Sequence, residues 1–416
     1  MVVLLDRRRF LAAAAGSAAM LATGCAGSAA LGGDRVARGD GLLTIGLTTA
    51  LTGPYSEFGV PMKNCVDLAI KQANDTGGVL GRQVKLVSYD DQLVAETAQA
   101  NMRRLLDEDN VDFVLAPAGS GPVLAVLPLV NAKGRIMMNT TAQTMKIVYP
   151  HGTDRPPYQN VFSFSPGSQI EGHFMGDLLA RKFRKVGVVA ESTPYGQTEM
   201  ADIAAAAKAG GAAVVATESY DQGATDLTAQ LARIRSAGAE AIGMVGLGSD
   251  AATARQTMAR LGMMDTPFLI SLGAGTVVYP DRARELVSGT IGVQFAAFDG
   301  GAPATESARE LSRAYRAAYG NDRHYGPNEW PVPSFGNTPA SSYDSVKVLL
   351  EAIKRAGSTD NAKIIAELNS GRPFPAARGD YRFSPQSHFA VTADLLTVKV
   401  FRAGPGGALD YTPYQA

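Results

Sequence analysis

Three runs in this chain set hydroxyl side chains beside glycine, proline or alanine: Thr48-Thr49-Ala50-Leu51-Thr52-Gly53-Pro54, Gly119-Ser120-Gly121-Pro122 and Thr140-Thr141-Ala142-Gln143-Thr144. Each follows a short apolar run. Where such a turn opens a helix, the first N–H groups lack intrahelical partners, and with the hydroxyls they suit a carboxylate or another oxygen-rich group. Plain N-capping by serine or threonine accounts for any one of these hydroxyls. Three such turns on one sheet edge point further, because ligands of open α/β sheets bind beyond the carboxyl ends of the strands.

Sequence signatures of catalysis are missing. Gly-Lys occurs nowhere, so there is no phosphate-binding GxxxxGK[ST] loop, and neither HExxH nor GxSxG is present. His151, His173, His324 and His388 are scattered, with none at metal-ligand spacing. The doublet Asp90-Asp91 invites an acid/base reading, but adjacent residues at a strand end point to opposite sides. A loop or capping role fits it better. No catalytic residue, metal or cofactor is expected.

The elements that must carry these turns alternate. Apolar runs at 43–48, 84–89, 111–116 and 135–139 read as strands, with helical spacing through Val60, Val66, Ala69, Ile70 and Ala73, at 96–106 and from about Ser120. After a proline-rich stretch at 149–158 the rhythm resumes. Strands are expected at 186–190, 213–219, 241–245 and 268–272, and helices at 198–209, 226–237 and 250–261. This pattern predicts βαβ units with parallel sheets covered on both faces. Helices follow at 305–319, 342–356 and 362–368, and an apolar strand at 395–401. The intervening 325–339, rich in proline, glycine and aromatics, is either a surface excursion or part of a cleft wall.

With 416 residues, 46% of them hydrophobic, the chain exceeds what one core carries, roughly 250–300 residues, so two lobes are expected. Its 39 basic and 39 acidic residues leave no positive surplus for nucleic acid. The N-terminus reads as an address: Arg7-Arg8-Arg9 before an apolar run to Thr23, too short for the roughly 20 residues of a spanning helix. Arg7-Arg8-Arg9-Phe10-Leu11 resembles the twin-arginine export signal. Leu21-Ala22-Thr23-Gly24-Cys25 resembles a bacterial lipobox with Cys25 as the lipidated residue. Residues 1–24 are thus expected to be a signal peptide and 25–41 a lipid-anchored flexible tether. Cys65, in an apolar helical pattern, reads as buried packing.

Several runs resemble the leucine/isoleucine/valine-binding proteins. They are Ile45-Gly46-Leu47 with Thr52-Gly53-Pro54-Tyr55-Ser56-Glu57-Phe58-Gly59, Ala73-Asn74 with Gly77-Gly78-Val79-Leu80-Gly81-Arg82, Tyr89-Asp90-Asp91, Val114-Leu115-Ala116 with Ser120, and Ser192-Thr193-Pro194-Tyr195-Gly196-Gln197. The likeness covers nearly the whole chain after the leader. It implies the type I periplasmic-binding fold, an α/β architecture of two doubly wound parallel-sheet lobes joined by three crossovers. Lobe 1 would comprise 42–163 and 299–385, and lobe 2 would comprise 164–298 and 386–416. The implied function is capture of a small amino acid, or a related carboxylate or amide, by hinge closure. The partners implied are the permease subunits of an ABC importer, on the periplasmic or outer face of a bacterial membrane. A ligand-sensing subunit for a signalling partner shares the fold, and an extracytoplasmic hydrolase is a further alternative.

By position, the resemblance assigns Ser120 to the ligand carboxylate and the Ala142 carbonyl to the ammonium, with Thr144 beside it. Phe58 would lie over the ligand and Tyr195 would close from the second lobe. One departure stands out. The amino-acid binders carry an acidic residue where Leu272 stands here. A buried ammonium without a carboxylate partner costs several kcal/mol. Either Asp250 or Glu191 substitutes, or the ligand has no ammonium.

Overall fold

The computed structural model describes residues 41–320, 324–325, 330–404 and 409–414. The leader, Cys25 and the tether up to residue 40 lie outside them. The first sheet is built by β1 (Leu43–Thr49), α1 (Ser56–Asp75), β2 (Val84–Asp90), α2 (Ala95–Arg103), β3 (Phe113–Leu115), α3 (Ser120–Ala132), β4 (Met137–Asn139) and β5 (Val161–Ser163). Its order is β2-β1-β3-β4-β5 and every neighbouring pair is parallel. All seven residues of β1 are buried, as a strand covered by helices on both faces must be. Cys65 is fully buried against this sheet. Asp90 accepts the N–H groups of Leu51, Thr52 and Gln92, and Asp91 accepts the Thr48 hydroxyl and the Leu93 N–H. The aspartate doublet therefore fastens two loops at the strand ends.

The chain then crosses through α4 (Gly167–Lys182) to β6 (Lys185–Glu191), α5 (Pro194–Ala209), β7 (Ala213–Tyr220), α6 (Thr228–Ser236), β8 (Ala241–Val245), α7 (Gly248–Arg260), β9 (Phe268–Ile270), α8 (Val278–Ala283) and β10 (Thr290–Phe295). A second crossover leads to α9 (Glu306–Tyr319), α10 (Thr338–Ala356), α11 (Asn361–Leu368) and a small hairpin of β11 (Phe374–Ala376) and β12 (Gly379–Tyr381). Both α9 and α10 return to α1. Tyr319 donates its hydroxyl to the Asn64 carbonyl and Tyr343 to the Gln72 side chain. His388 and Ala390 still bond to Ser163 of β5. Only then does the third crossover deliver β13 (Leu396–Ala403) and β14 (Leu409–Pro413) to the second sheet.

The second sheet has the order β14-β13-β10-β9-β8-β6-β7. Its strands from β6 to β10 are parallel, but β13 and β14 run antiparallel. The parallel core expected of a doubly wound lobe is thus present, and β14 follows β13 as a direct return, which needs no crossover helix. The reading missed β5, α4, α8 and β10. Two of these are short, and β5 lies at the end of a proline-rich stretch with no periodic pattern.

One buried group ties the crossovers together. Arg378 stands against Asp344 at 3.7 Å, and both are almost fully enclosed. Its guanidinium donates to the Phe164 and Gly336 carbonyls and to the Tyr381 hydroxyl, and lies 4.1 Å from the centre of the Phe295 ring. Phe164 follows β5 and Phe295 ends β10, so the arginine touches both segments where the chain leaves one sheet for the other.

Candidate functional site

The carboxyl ends of the two sheets share a cavity of about 250 Å³. From the first sheet it is walled by Phe58, Leu93, Gly119, Ser120, Pro122, Thr141, Ala142 and Gln143. From the second come Glu191, Thr193, Tyr195, Gln222, Leu247 and Gly273, and Asn337 and Thr338 close it at the start of α10. The two sides already touch: the Thr276 hydroxyl donates to Glu57 at 2.5 Å, and the Asn337 amide to the Leu272 carbonyl at 3.2 Å.

The first-sheet wall presents hydrogen-bond donors of the kind that suit an anion. Gly119 holds φ 82° and ψ 144°, a conformation open in practice only to glycine, and this turns α3 so that its first N–H groups open at Ser120. Ser120 Oγ accepts the Gln143 and Thr144 N–H groups, each at 3.2 Å. Its hydroxyl proton therefore remains to donate. The neighbouring loop is rigid. Asn139 donates to the Ala142 carbonyl at 2.7 Å and accepts the Ala142 N–H at 3.2 Å. A carbonyl has two lone pairs, so Ala142 keeps capacity for one more donor.

The second-sheet wall is built around a carboxyl group. Glu191 ends β6, and α5 begins so close to it that a Cβ on Gly196 would lie 2.1 Å from the Glu191 carbonyl oxygen. Oε1 of Glu191 accepts the Thr193 hydroxyl at 2.5 Å, and Oε2 accepts the Gln222 amide at 3.1 Å. Burial, with Asp250 adding to it, pushes this carboxyl up to about 7. Tyr195 donates to Ser271 at 2.9 Å, and burial followed by the nearby Glu199 and Glu171 carboxyls holds its phenol well above the usual range.

Of the residues assigned by position, Phe58, Ser120, Ala142 and Tyr195 line the cavity, whereas Thr144 and Leu272 do not. Thr144 is fully buried and turned away, and its N–H serves Ser120 while Thr141 and Gln143 face the cavity. Leu272 lies two residues beyond the end of β9 at Ile270 and is buried in the core rather than on the wall. Its N–H goes to Glu171 at 2.6 Å, its carbonyl to Asn337, and Gly273 takes the place in the wall. Asp250 sits one layer back, accepting the Leu247 and Gly223 N–H groups and the Tyr220 hydroxyl; burial pushes it up to about 6. Of the two acids named as substitutes, Glu191 alone reaches the cavity. Leu93, Gln222 and Leu247 carried no recognisable signal. Asn337 and Thr338 belong to the 325–339 stretch, whose end thus joins the cleft wall. Among the described residues, no three His, Cys, Asp or Glu side chains gather as metal ligands do.

Two sheets that enclose a small cleft between their carboxyl strand ends are compatible with capture of a small solute. Residues 43–405 match the family model described as periplasmic binding protein, and the chain belongs to that family. A Leu/Ile/Val-binding protein homologue of Brucella melitensis is 26% identical over 347 residues, 82% of this chain and 87% of that protein. A type 1 periplasmic binding protein from Bordetella pertussis is 40% identical, with a TM-score of 0.85 over 90% of this chain and all of that one. The branched-chain amino acid binding protein LivJ of Streptococcus pneumoniae, solved with isoleucine, shares the fold at 20% identity, with a TM-score of 0.73 over 90% of this chain and all of that one. This is a family of extracytoplasmic solute-binding proteins that serve ABC importers. Among the described residues no helix is long and apolar enough to cross a membrane.

Proposed function

We propose that this protein captures a small amino acid, or a related carboxylate or amide, for an ABC importer, while anchored to a bacterial membrane through Cys25. The observation that carries the reading is the shared cavity, where Ser120 and the N-terminus of α3 offer an anion site facing the second-sheet wall of Glu191 and Tyr195. Its volume of about 250 Å³ falls below the roughly 300–1,000 Å³ of sites for drug-sized ligands, which favours a small solute. Among the described residues we assign 42–163, and those from 299 through 390, to one lobe, and 164–298 with β13 and β14 to the other. The bonds joining His388 and Ala390 to Ser163 support a third crossover that begins after Ala390. Phe58, Ser120, Ala142 and Tyr195 contact the ligand, and the contacts between Glu57 and Thr276 belong to the closed state.

The test uses protein stripped of ligand by unfolding and refolding, then titrated with leucine, valine, phenylalanine and their deaminated acids. Binding should stabilise the folded state by mass action, by about 2.7 kcal/mol at a hundredfold excess over Kd, and so raise the unfolding midpoint. Small-angle scattering should show contraction at saturation. A ligand that binds without contraction would remove the hinge mechanism. Co-purification with a permease rather than a sensor protein would separate import from signalling.

A further inference from the structure

Two carboxyl groups meet beneath the cavity, one from α4 and one from α5. We propose that Glu171 and Glu199 hold one proton between them, donated from Glu199 to Oε2 of Glu171, and that this proton positions both walls of the cleft.

Both side chains are fully enclosed. Their helices approach closely: a Cβ on Gly172 would lie 2.6 Å from Cβ of Asp202, and one on Gly176 2.6 Å from Cβ of Ala206. The two carboxyls are thereby in hydrogen-bonding contact. Oε1 of Glu171 accepts the Leu272 N–H at 2.6 Å, and the Gln143 side chain bonds to the same carboxyl. Oε2 of Glu171 and both oxygens of Glu199 meet no other donor among the described residues. Two carboxylates placed so would repel and leave buried oxygens unpaired; one proton supplies the missing donor and removes one charge. No side-chain cation does so, since among the described residues neither group forms an ion pair. Asp202 of α5 adds negative charge, His173 of α4 acts on Asp202, and Tyr195 brings a phenol. Burial, then the charges of Glu171 and Asp202, holds Glu199 well above the usual carboxyl range, and burial raises Glu171 as well.

Glu171 touches both walls. Gln143 lines the cavity and gives its N–H to Ser120, and its carbonyl accepts the Ser168 N–H at 2.7 Å where α4 begins. Leu272 precedes Gly273 of the opposite wall, where a Cβ would lie 2.9 Å from the Tyr195 hydroxyl. A carboxylate at Glu171, with the Glu199 proton on its remaining oxygen, holds Gln143 and Leu272 together. When that proton leaves, the two charges separate and Glu171 is drawn off both donors. The walls therefore loosen as pH rises.

The proposal rests on the solute-binding reading for the role of the cavity, but the proton is tested without a ligand. Infrared difference spectra of the ligand-stripped full chain at pH 8 should contain the carbonyl stretch of a protonated carboxylic acid, shifted in heavy water, and Glu199→Gln should remove it. In hydrogen exchange corrected for the intrinsic rate, segments 142–145 and 271–275 should lose about tenfold in protection from pH 7 to pH 9, since each pH unit above the point where the proton leaves lowers the bonded state about tenfold. Glu199→Gln, whose amide still donates to Glu171 and does not ionise, should keep that protection at both pH values. Glu199→Leu, which removes the donor, should have lost it already at pH 7. In calorimetry, leucine and 4-methylpentanoic acid should lose about tenfold more affinity over this interval in the unmodified chain than in Glu199→Gln. An unmodified chain without the acid band, a band that survives Glu199→Gln, or protection that is independent of pH or falls equally in both proteins would overturn the proposal. The spectrum and pH profile of the unmodified chain decide it even if a variant fails to fold. Binding of neither compound would bring down the carboxylate-solute reading, while the band and the exchange profile still decide the shared proton.

Discussion

Replacing Arg378 with methionine removes a buried cation of similar length and leaves Asp344 enclosed without its counter-charge. Asp344 would retain the Ala377 and Arg378 N–H groups, at 2.8 and 3.1 Å, and the Tyr381 hydroxyl at 2.8 Å. The Phe164 and Gly336 carbonyls would each lose a donor. Removing one partner of a buried pair costs about 3–5 kcal/mol, and the two orphaned carbonyls push the expected loss toward the upper end of that range. Asp344→Asn alone should cost a comparable amount, because Arg378 would then be the uncompensated charge. The double variant Arg378→Met/Asp344→Asn should be less damaged than the sum, with a coupling of about 1–3 kcal/mol. Urea unfolding at pH 7, followed by circular dichroism, gives all four corners of the cycle. A loss below about 1 kcal/mol for Arg378→Met, or strict additivity in the cycle, would refute the claim that this pair holds the crossovers together.

Ser120→Ala should weaken binding of any carboxylate that the cavity accepts by about 1.5–3 kcal/mol, the range for hydrogen bonds to charged groups; calorimetry that finds no change would remove Ser120 from the anion site. The pH dependence of ligand-free stability follows from the buried acids. Burial raises Glu191 to about 7 and Asp91 and Asp250 to about 6, and it also raises the facing pair Glu171 and Glu199. A carboxyl raised on folding contributes stability that is fully present below its unfolded pKa and is lost as pH climbs through the folded value. Denaturant midpoints should therefore fall between about pH 4.5 and 7. Glu199→Gln should flatten that fall, whereas the surface change Glu108→Gln should leave it alone; midpoints that hold or rise over this interval would contradict the assignment. Finally, Cys25→Ala should release the mature protein from the membrane fraction, and persistence there after leader cleavage would refute lipidation.

The alternation of strand and helix was readable because a parallel strand buried on both faces leaves a continuous apolar run, as at Val186–Val189 and Ala241–Val245. The hydroxyl turns were readable as well, since helix starts after strands draw on few residue types, and Ser120, Ala142, Phe58 and Tyr195 do meet at one cavity. β5, at the end of a proline-rich stretch, left no periodic trace, and the antiparallel direction of β13 to β10 and of β14 to β13 is a matter of which neighbour the returning chain meets. The acid at the cleft shows the same division. Composition and order along the chain supplied Leu272, Asp250 and Glu191 as competitors for one role. The three follow different strands, so which of them faces the cleft depends on how each strand end and its following helix pack, not on the pattern along any one segment. Only the folded arrangement, with β9 ending at Ile270 and α5 pressed onto the end of β6, puts Glu191 on the wall and Leu272 in the core.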